Sequence, residues 1–331
     1  PLLFCWLSWR IYQELMHTPH LQQSWQGVLK SLHTESFFYA PLVVLLMIVN
    51  WALEAAKWQV AIRSVHPVKF VTAFKAVLSG LSFAVTTPNR VGEYLGRMWY
   101  MPDGKRLQII SLTLVCSYSQ ILLTGWCGLA ALLFLKSALI SNSILTTGWW
   151  TTAAWLLAVG NTILTILYFN LPYLEKRSER WLQHRLYLHL VRAVGFLHST
   201  TQAKLLVLSA LRYTVFLLQY ILLFRLFGVH APVQQTAAAT SLQFLALAVV
   251  PTIALVELGL RGQLGLLLMG LFTTHTVGVL LTSVGMWVIN LVVPAAVGSL
   301  LLLTVRFFDR DKAATGKPAK QRRTKQMAEV S

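Results

Sequence analysis

Two stretches decide how this chain is read: Thr87-Pro88-Asn89-Arg90-Val91-Gly92-Glu93-Tyr94-Leu95-Gly96-Arg97 and Val250-Pro251-Thr252-Ile253-Ala254-Leu255-Val256-Glu257-Leu258-Gly259-Leu260-Arg261. Each sets a proline inside an apolar run, where it removes a backbone donor and pushes the preceding residue out of helical geometry. Each then continues with helix-compatible sequence carrying a glutamate and, four residues on, an arginine. His66-Pro67 opens the first segment and His230-Ala231-Pro232 opens the second. The spacing predicts an internal repeat of helix, break and helix over residues 70–101 and 233–271.

Around these segments the chain is apolar. Of its 331 residues, 56% are hydrophobic and only 12% charged, and mean hydropathy is +0.61, which excludes an ordinary water-soluble domain. A membrane-crossing helix takes about 20 apolar residues. Spans are expected at Phe37 to Trp58, Leu107 to Leu135, Ile144 to Phe169, Lys204 to Val229 and about Val277 to Phe307. The first nine residues read as the end of a truncated helix. The expected fold is therefore all-α, a polytopic integral membrane protein of about six spans plus two Pro-broken re-entrant hairpins. Residues 1–307 form the membrane domain and residues 308–331 a basic, disordered tail.

Charge sets the expected topology. The formal net charge is +17, yet the cations gather in a few loops and the tail, as in cytoplasmic loops facing anionic lipid. If both broken segments are re-entrant, residues 57–69, 102–106, 175–204 and the tail share one side. The balanced loop 10–36, with Arg10 and Lys30 against Glu14 and Glu35, takes the other. This predicts a multi-pass protein of the cell (inner) membrane with a cytoplasmic C-terminus. Three full spans separate the hairpins, so the second enters from the face opposite the first, an inverted pair of the kind secondary transporters use. The basic loop and tail are expected to meet anionic lipid. No aromatic-basic module of a nucleic-acid binder is present.

Ionisable groups at membrane depth cost roughly 2.5–3.5 kcal/mol each on insertion scales, so Arg90, Glu93, Arg97, Arg212, Glu257 and Arg261 need partners or a task. Each break exposes a helix N-terminus, whose free N–H groups and positive dipole end suit an anion. Arg90 lies at the first such end, Pro88 and Pro251 set the breaks, and Gly92 permits a close backbone approach. Arg90, Glu93, Arg97, Glu257 and Arg261 are the expected ligand-binding residues, for an anionic or zwitterionic head group where the hairpin tips meet. Glu257 has Ile253 where Arg90 stands in the first repeat, so it is a candidate partner for a proton or an ammonium group. The alternative reading is structural, with each glutamate and arginine neutralising one another along one helical face.

Other patterns carry less. Cys5, Cys116 and Cys127 stand in apolar segments without metal spacing and imply no disulfide framework. His17 and His20 flank Pro19 and lack a third ligand. His184 and His189 lie among Arg180, Arg185 and Arg192, as in an interfacial amphipathic helix. The tryptophans suit membrane-interface belts. No metal or cofactor is expected.

Pro88-Asn89-Arg90-Val91-Gly92-Glu93, followed by Arg97, resembles the Pro-x-Arg-x-Gly-Glu signature of the lysylphosphatidylglycerol synthase transmembrane region, or flippase-like domain family. Pro251 through Glu257 to Arg261 is similar to the family's second motif, with Thr252-Ile253-Ala254-Leu255-Val256 replacing its usual glycine-rich stretch. The resemblance runs from about Phe37 to Phe307. It implies a lipid-handling transporter of a membrane phospholipid, since the best-understood relatives move aminoacylated phosphatidylglycerol between leaflets. Those relatives also carry a cytosolic aminoacyltransferase domain, for which the 25 residues after Arg306 leave no room. Two alternatives stand beside transport: a membrane-embedded lipid-modifying transferase, with Glu93 or Glu257 as general base, or a non-catalytic partner of a lipid-synthesising enzyme. No catalytic residue is assigned, because no nucleotide motif, nucleophile-base pair or Asp-rich metal site is present.

Overall fold

The computed structural model describes residues 38–303, apart from 86, 88–90, 179–193, 196 and 252. These residues form helices and connecting turns: α1 (Tyr39–Ile62), α2 (Phe70–Ala84), α3 (Gly92–Met98), α4 (Arg106–Phe134), α5 (Lys136–Ser141), α6 (Thr147–Phe169), α7 (Leu171–Ser178), α8 (Ser199–Leu226), α9 (Val233–Val249), α10 (Ala254–Met269) and α11 (from Thr276). Five of them, α1, α4, α6, α8 and Thr276–Leu303, are long and apolar enough to cross a membrane. These match the five spans expected for this part of the chain, and the molecule is an all-helical, multi-pass membrane protein. The stretches expected to form the end of a first helix (1–9), the 10–36 loop and the 308–331 tail, and both histidine pairs, lie outside the described residues.

Both Pro-broken segments fold back on themselves. In the first, α2 and α3 pack so closely that a side chain on Gly96 would meet the backbone of Ser79 and Gly80, and one on Gly92 the backbone of Phe83. Only glycine permits that approach. Thr87 closes the tip: its hydroxyl donates to the Phe83 carbonyl at 3.0 Å and accepts from the Gly92 N–H at 2.7 Å. In the second, Pro251 ends α9 by holding Val250 extended (φ −92°, ψ 111°). The chain then turns into α10, and Gln243 Nε2 of α9 donates to the Arg261 carbonyl of α10 at 2.8 Å.

The apolar interior divides into two clusters. One gathers Ile62, Ala73, Leu81, Ile109, Tyr168, Leu205 and Ala295; the other gathers Val43, Leu132, Trp150, Leu226, Leu268 and Val279. Each long span thus starts in one cluster and ends in the other, so the clusters are the two leaflet-facing halves of the bundle. The α2 residues of the first hairpin lie in the first half. The second hairpin lies in the other half, except Ala254 at the start of α10, which reaches into the first. The hairpins therefore enter from opposite faces.

Two details depart from the expected layout. Lys57, assigned with Arg63 and Lys69 to a 57–69 loop, is inside α1 and 1% exposed, because Glu54 one turn earlier gives it a carboxylate at 2.8 Å. The last span is also not a uniform helix. Val288–Val292 forms a wide π turn, with the Val293 N–H bonded to the Val288 carbonyl. Pro294 explains it: the ring has no N–H for Asn290, four residues back, and crowds that carbonyl.

Candidate functional site

A polar network runs from within the first apolar half towards the second, and Glu54 of α1 is its hub. Glu54 Oε2 pairs with Lys57 Nζ at 2.8 Å and with Arg212 Nη1 of α8 at 2.9 Å. Oε1 accepts from Arg97 Nη2 of α3 at 2.9 Å. Arg97 also reaches Glu93 Oε2 on its own helix, at a longer 3.3 Å. Arg97 is 2% exposed, so it survives at this depth by sharing two carboxylates. The first hairpin is thereby tied to α1 by charge as well as by packing.

Arg212 extends the network. Its Nε donates to Asn50 Oδ1 at 3.0 Å; Asn50 Nδ2 donates to Asn290 Oδ1, and Asn290 Nδ2 to Gln219 Oε1, both at 3.1 Å. Gln219 Nε2 ends the chain on the Val43 carbonyl. Asn290 lies in the π turn, which admits its amide between α1 and α8. The Arg212 guanidinium also lies 5.2 Å from the Trp51 ring centre and 5.3 Å from that of Phe216, within cation–π range.

The second hairpin brings its own pair. Arg261 donates to Glu257 Oε1 from Nη2 at 2.6 Å and from Nε at 3.1 Å, and from Nη1 to the Tyr220 hydroxyl at 2.9 Å. The start of α10 is anchored by Trp287 Nε1, which donates to the Ala254 carbonyl at 3.0 Å.

These two charged groups meet at a cavity of about 290 Å³. Arg212, Glu257 and Arg261 line it, with Trp51, Tyr213, Phe216, Phe244 and Trp287 as aromatic walls, and Leu247, Ala248 and Val250 from the second hairpin's tip. Trp51, Gln120, Arg212 and Asn290 each stand near the middle of their span. The cavity is therefore midway through the bundle. It is also polar where the surroundings are apolar: Trp51 Nε1 and Gln120 Oε1 are buried without hydrogen-bond partners.

Of the residues expected to bind ligand, Glu257 and Arg261 line this cavity and Pro251 ends the helix whose tip closes it. Glu93 and Arg97 instead belong to the Glu54 cluster, and Gly92 serves the packing of the first hairpin. Pro88 and Arg90 lie outside the described residues. Arg97 was paired from the sequence with Glu93; its closer carboxylate is Glu54. Glu54, Asn50 and Asn290 were not singled out at all, and Arg212 only as a charge in need of a partner. One signal was available: Asn50, Glu54 and Lys57 recur at helical spacing along an otherwise apolar span, marking one face of α1 as polar.

In comparisons with known proteins, neither a curated protein nor a solved structure matched. The family model described as the lysylphosphatidylglycerol synthase TM region matches residues 20–298. That match takes in both hairpins, the Glu54 cluster and every wall of the midway cavity, and the chain belongs to the lysylphosphatidylglycerol synthase transmembrane region family.

Proposed function

We propose that this protein binds the phosphate-bearing head group of a membrane lipid in the midway cavity and passes it between the two leaflets without chemical change. The observation that carries this reading is the pair of arginines lining one cavity: Arg212, oriented by Glu54 and Asn50, and Arg261, oriented by Glu257 and Tyr220. Guanidinium groups held by such forks suit a phosphodiester. A cavity of about 290 Å³ accommodates a head group and leaves acyl chains to the surrounding bilayer. The inverted hairpins suit alternating access around a fixed site. A transferase finds less support, because Glu257, the carboxylate among the cavity-lining residues, is committed to two Arg261 N–H groups and is a poor general base.

The test is reconstitution of the purified chain in liposomes carrying a fluorescent phospholipid, with an impermeant quencher reporting transfer and chromatography reporting lipid identity. Transfer of unaltered lipid that is lost in Arg212→Gln and Arg261→Gln supports the proposal. Transfer that both variants retain, or a new lipid product, overturns it.

A further inference from the structure

A lipid reaches the midway cavity only through an opening, and the exposure of the cavity's own walls locates one. Among the described residues that line it, three are exposed: Ile121 of α4, and Ala248 and Val250 of the second hairpin. All three are apolar, whereas the polar walls Gln120, Arg212, Glu257, Arg261 and Asn290 are buried or half-buried. Ile121 stands at the middle of α4, which runs from Arg106 to Phe134. A mouth that met water would be rimmed by polar groups; one rimmed by isoleucine, alanine and valine at this depth meets hydrocarbon.

The packing of the second hairpin leaves this gap. α9 lies along α4, with Leu245 against the surface of Gly128, and ends at Val249. Ile121 is about two helical turns back along α4 from Gly128, and half of its side chain is exposed. The tip of the hairpin is built for contact with lipid. The Val250 N–H donates to the Ala246 carbonyl at 3.2 Å, Pro251 has no N–H, and the Ile253 carbonyl accepts from the Glu257 N–H at 2.9 Å. Val249, Val250, Ile253 and Leu255 all turn apolar side chains outwards.

Resting on the head-group reading above, we infer that the gap between Ile121 and the tip of the second hairpin is a lateral portal for the lipid's acyl chains. The head group lies in the cavity with Arg212 and Arg261, and the chains pass over Ile121 and Val250 into the bilayer. Residues that line the cavity and face the outside make the two spaces continuous, and their apolar character matches the chains.

The test places a nitroxide at the portal. In a full chain with Cys5, Cys116 and Cys127 replaced by alanine, the label is attached to Ile121→Cys, to Val250→Cys or to a control, Leu156→Cys, which faces outwards on α6 away from the cavity. Each protein is reconstituted in vesicles of phosphatidylglycerol and phosphatidylcholine. Electron paramagnetic resonance then compares collisions with oxygen, which concentrates in hydrocarbon, and with a water-soluble nickel chelate. The labels at Ile121 and Val250 should meet oxygen in preference to the chelate, as the Leu156 label does. Transfer of fluorescent phosphatidylglycerol, relative to the same variant before labelling, should fall at least tenfold with either portal label and less than twofold with the control. Accessibility decides the point for a variant that is already slow before labelling. Preferential collision of the chelate at Ile121 or Val250, marking an aqueous mouth, or transfer that survives both portal labels, overturns the portal and leaves the head-group reading standing. Absence of transfer by the unlabelled wild-type chain overturns both.

Discussion

Arg212 and Glu54, 158 positions apart in sequence, form an ion pair of 2.9 Å between α8 and α1, and through it the lining of the cavity is joined to the first hairpin. Glu54 holds Arg212 with one oxygen and Arg97 with the other. A substituent that loosens Glu54 is therefore felt both at the cavity wall and at α3.

Removing the hub should be worse than removing a spoke. Glu54→Gln leaves Lys57, Arg97 and Arg212 around a neutral amide at membrane depth, a loss of about 3–5 kcal/mol. Arg97→Gln removes one cation while Lys57 and Arg212 still accompany Glu54. Monodisperse yield and thermal unfolding in detergent should rank wild type above Arg97→Gln and Arg97→Gln above Glu54→Gln. The reverse order for the two variants would show that Glu54 is not the hub.

Charge alone should not replace Arg212. Arg212→Lys keeps the cation but loses the fork that reaches Asn50 from Nε and Glu54 from Nη1. The variant should fold at near wild-type yield and move lipid at least tenfold more slowly in the liposome assay. Full activity would mean that a point charge suffices at this wall.

The Glu257–Arg261 pair separates stability from transport. Arg261→Gln alone takes from Glu257 its 2.6 Å ion pair and should lower folded yield, whereas Glu257→Gln with Arg261→Gln removes both charges of that pair and should restore it. The double variant should remain inactive, because the cavity has lost one of its two phosphate-binding arginines. An active double variant would assign the pair to scaffolding only.

Packing of the first hairpin gives a test that is independent of charge. A side chain on Gly96 would run into the backbone of Ser79 and Gly80, so Gly96→Val should separate α3 from α2 and cost several kcal/mol. Unfolding temperature reports the loss. Gly160, whose surroundings within α6 are open, is the control: Gly160→Val should be nearly neutral.

The distribution of basic residues among the loops predicts a sidedness that labelling can check. Lys105 and Arg106 lie at the end of the bundle where α4 starts, and Ser143 lies past its far end. In a cysteine-free background, a cysteine at Gly104 should resist an impermeant reagent in intact cells and one at Ser143 should react. The opposite result would invert the topology.

The spans and both hairpins were legible in the sequence because they are local properties. Apolar runs of membrane-spanning length and prolines in their midst leave few other folds for the chain. The Glu257–Arg261 pair was legible for the same reason: four residues on a helix place two side chains on one face. The family motif pointed to Glu93 and Arg97 as well, but a motif names residues without naming their neighbours. Tertiary structure alone decided that Arg97 turns to Glu54, that Arg212 stands between Trp51 and Phe216, and that Asn50, Asn290 and Gln219 form one ladder. These contacts join α1, α3, α8 and α11 across 43 to 240 positions. Which polar groups meet at the midplane depends on how the helices rotate against one another, and helical spacing within a single span carries no information about that rotation.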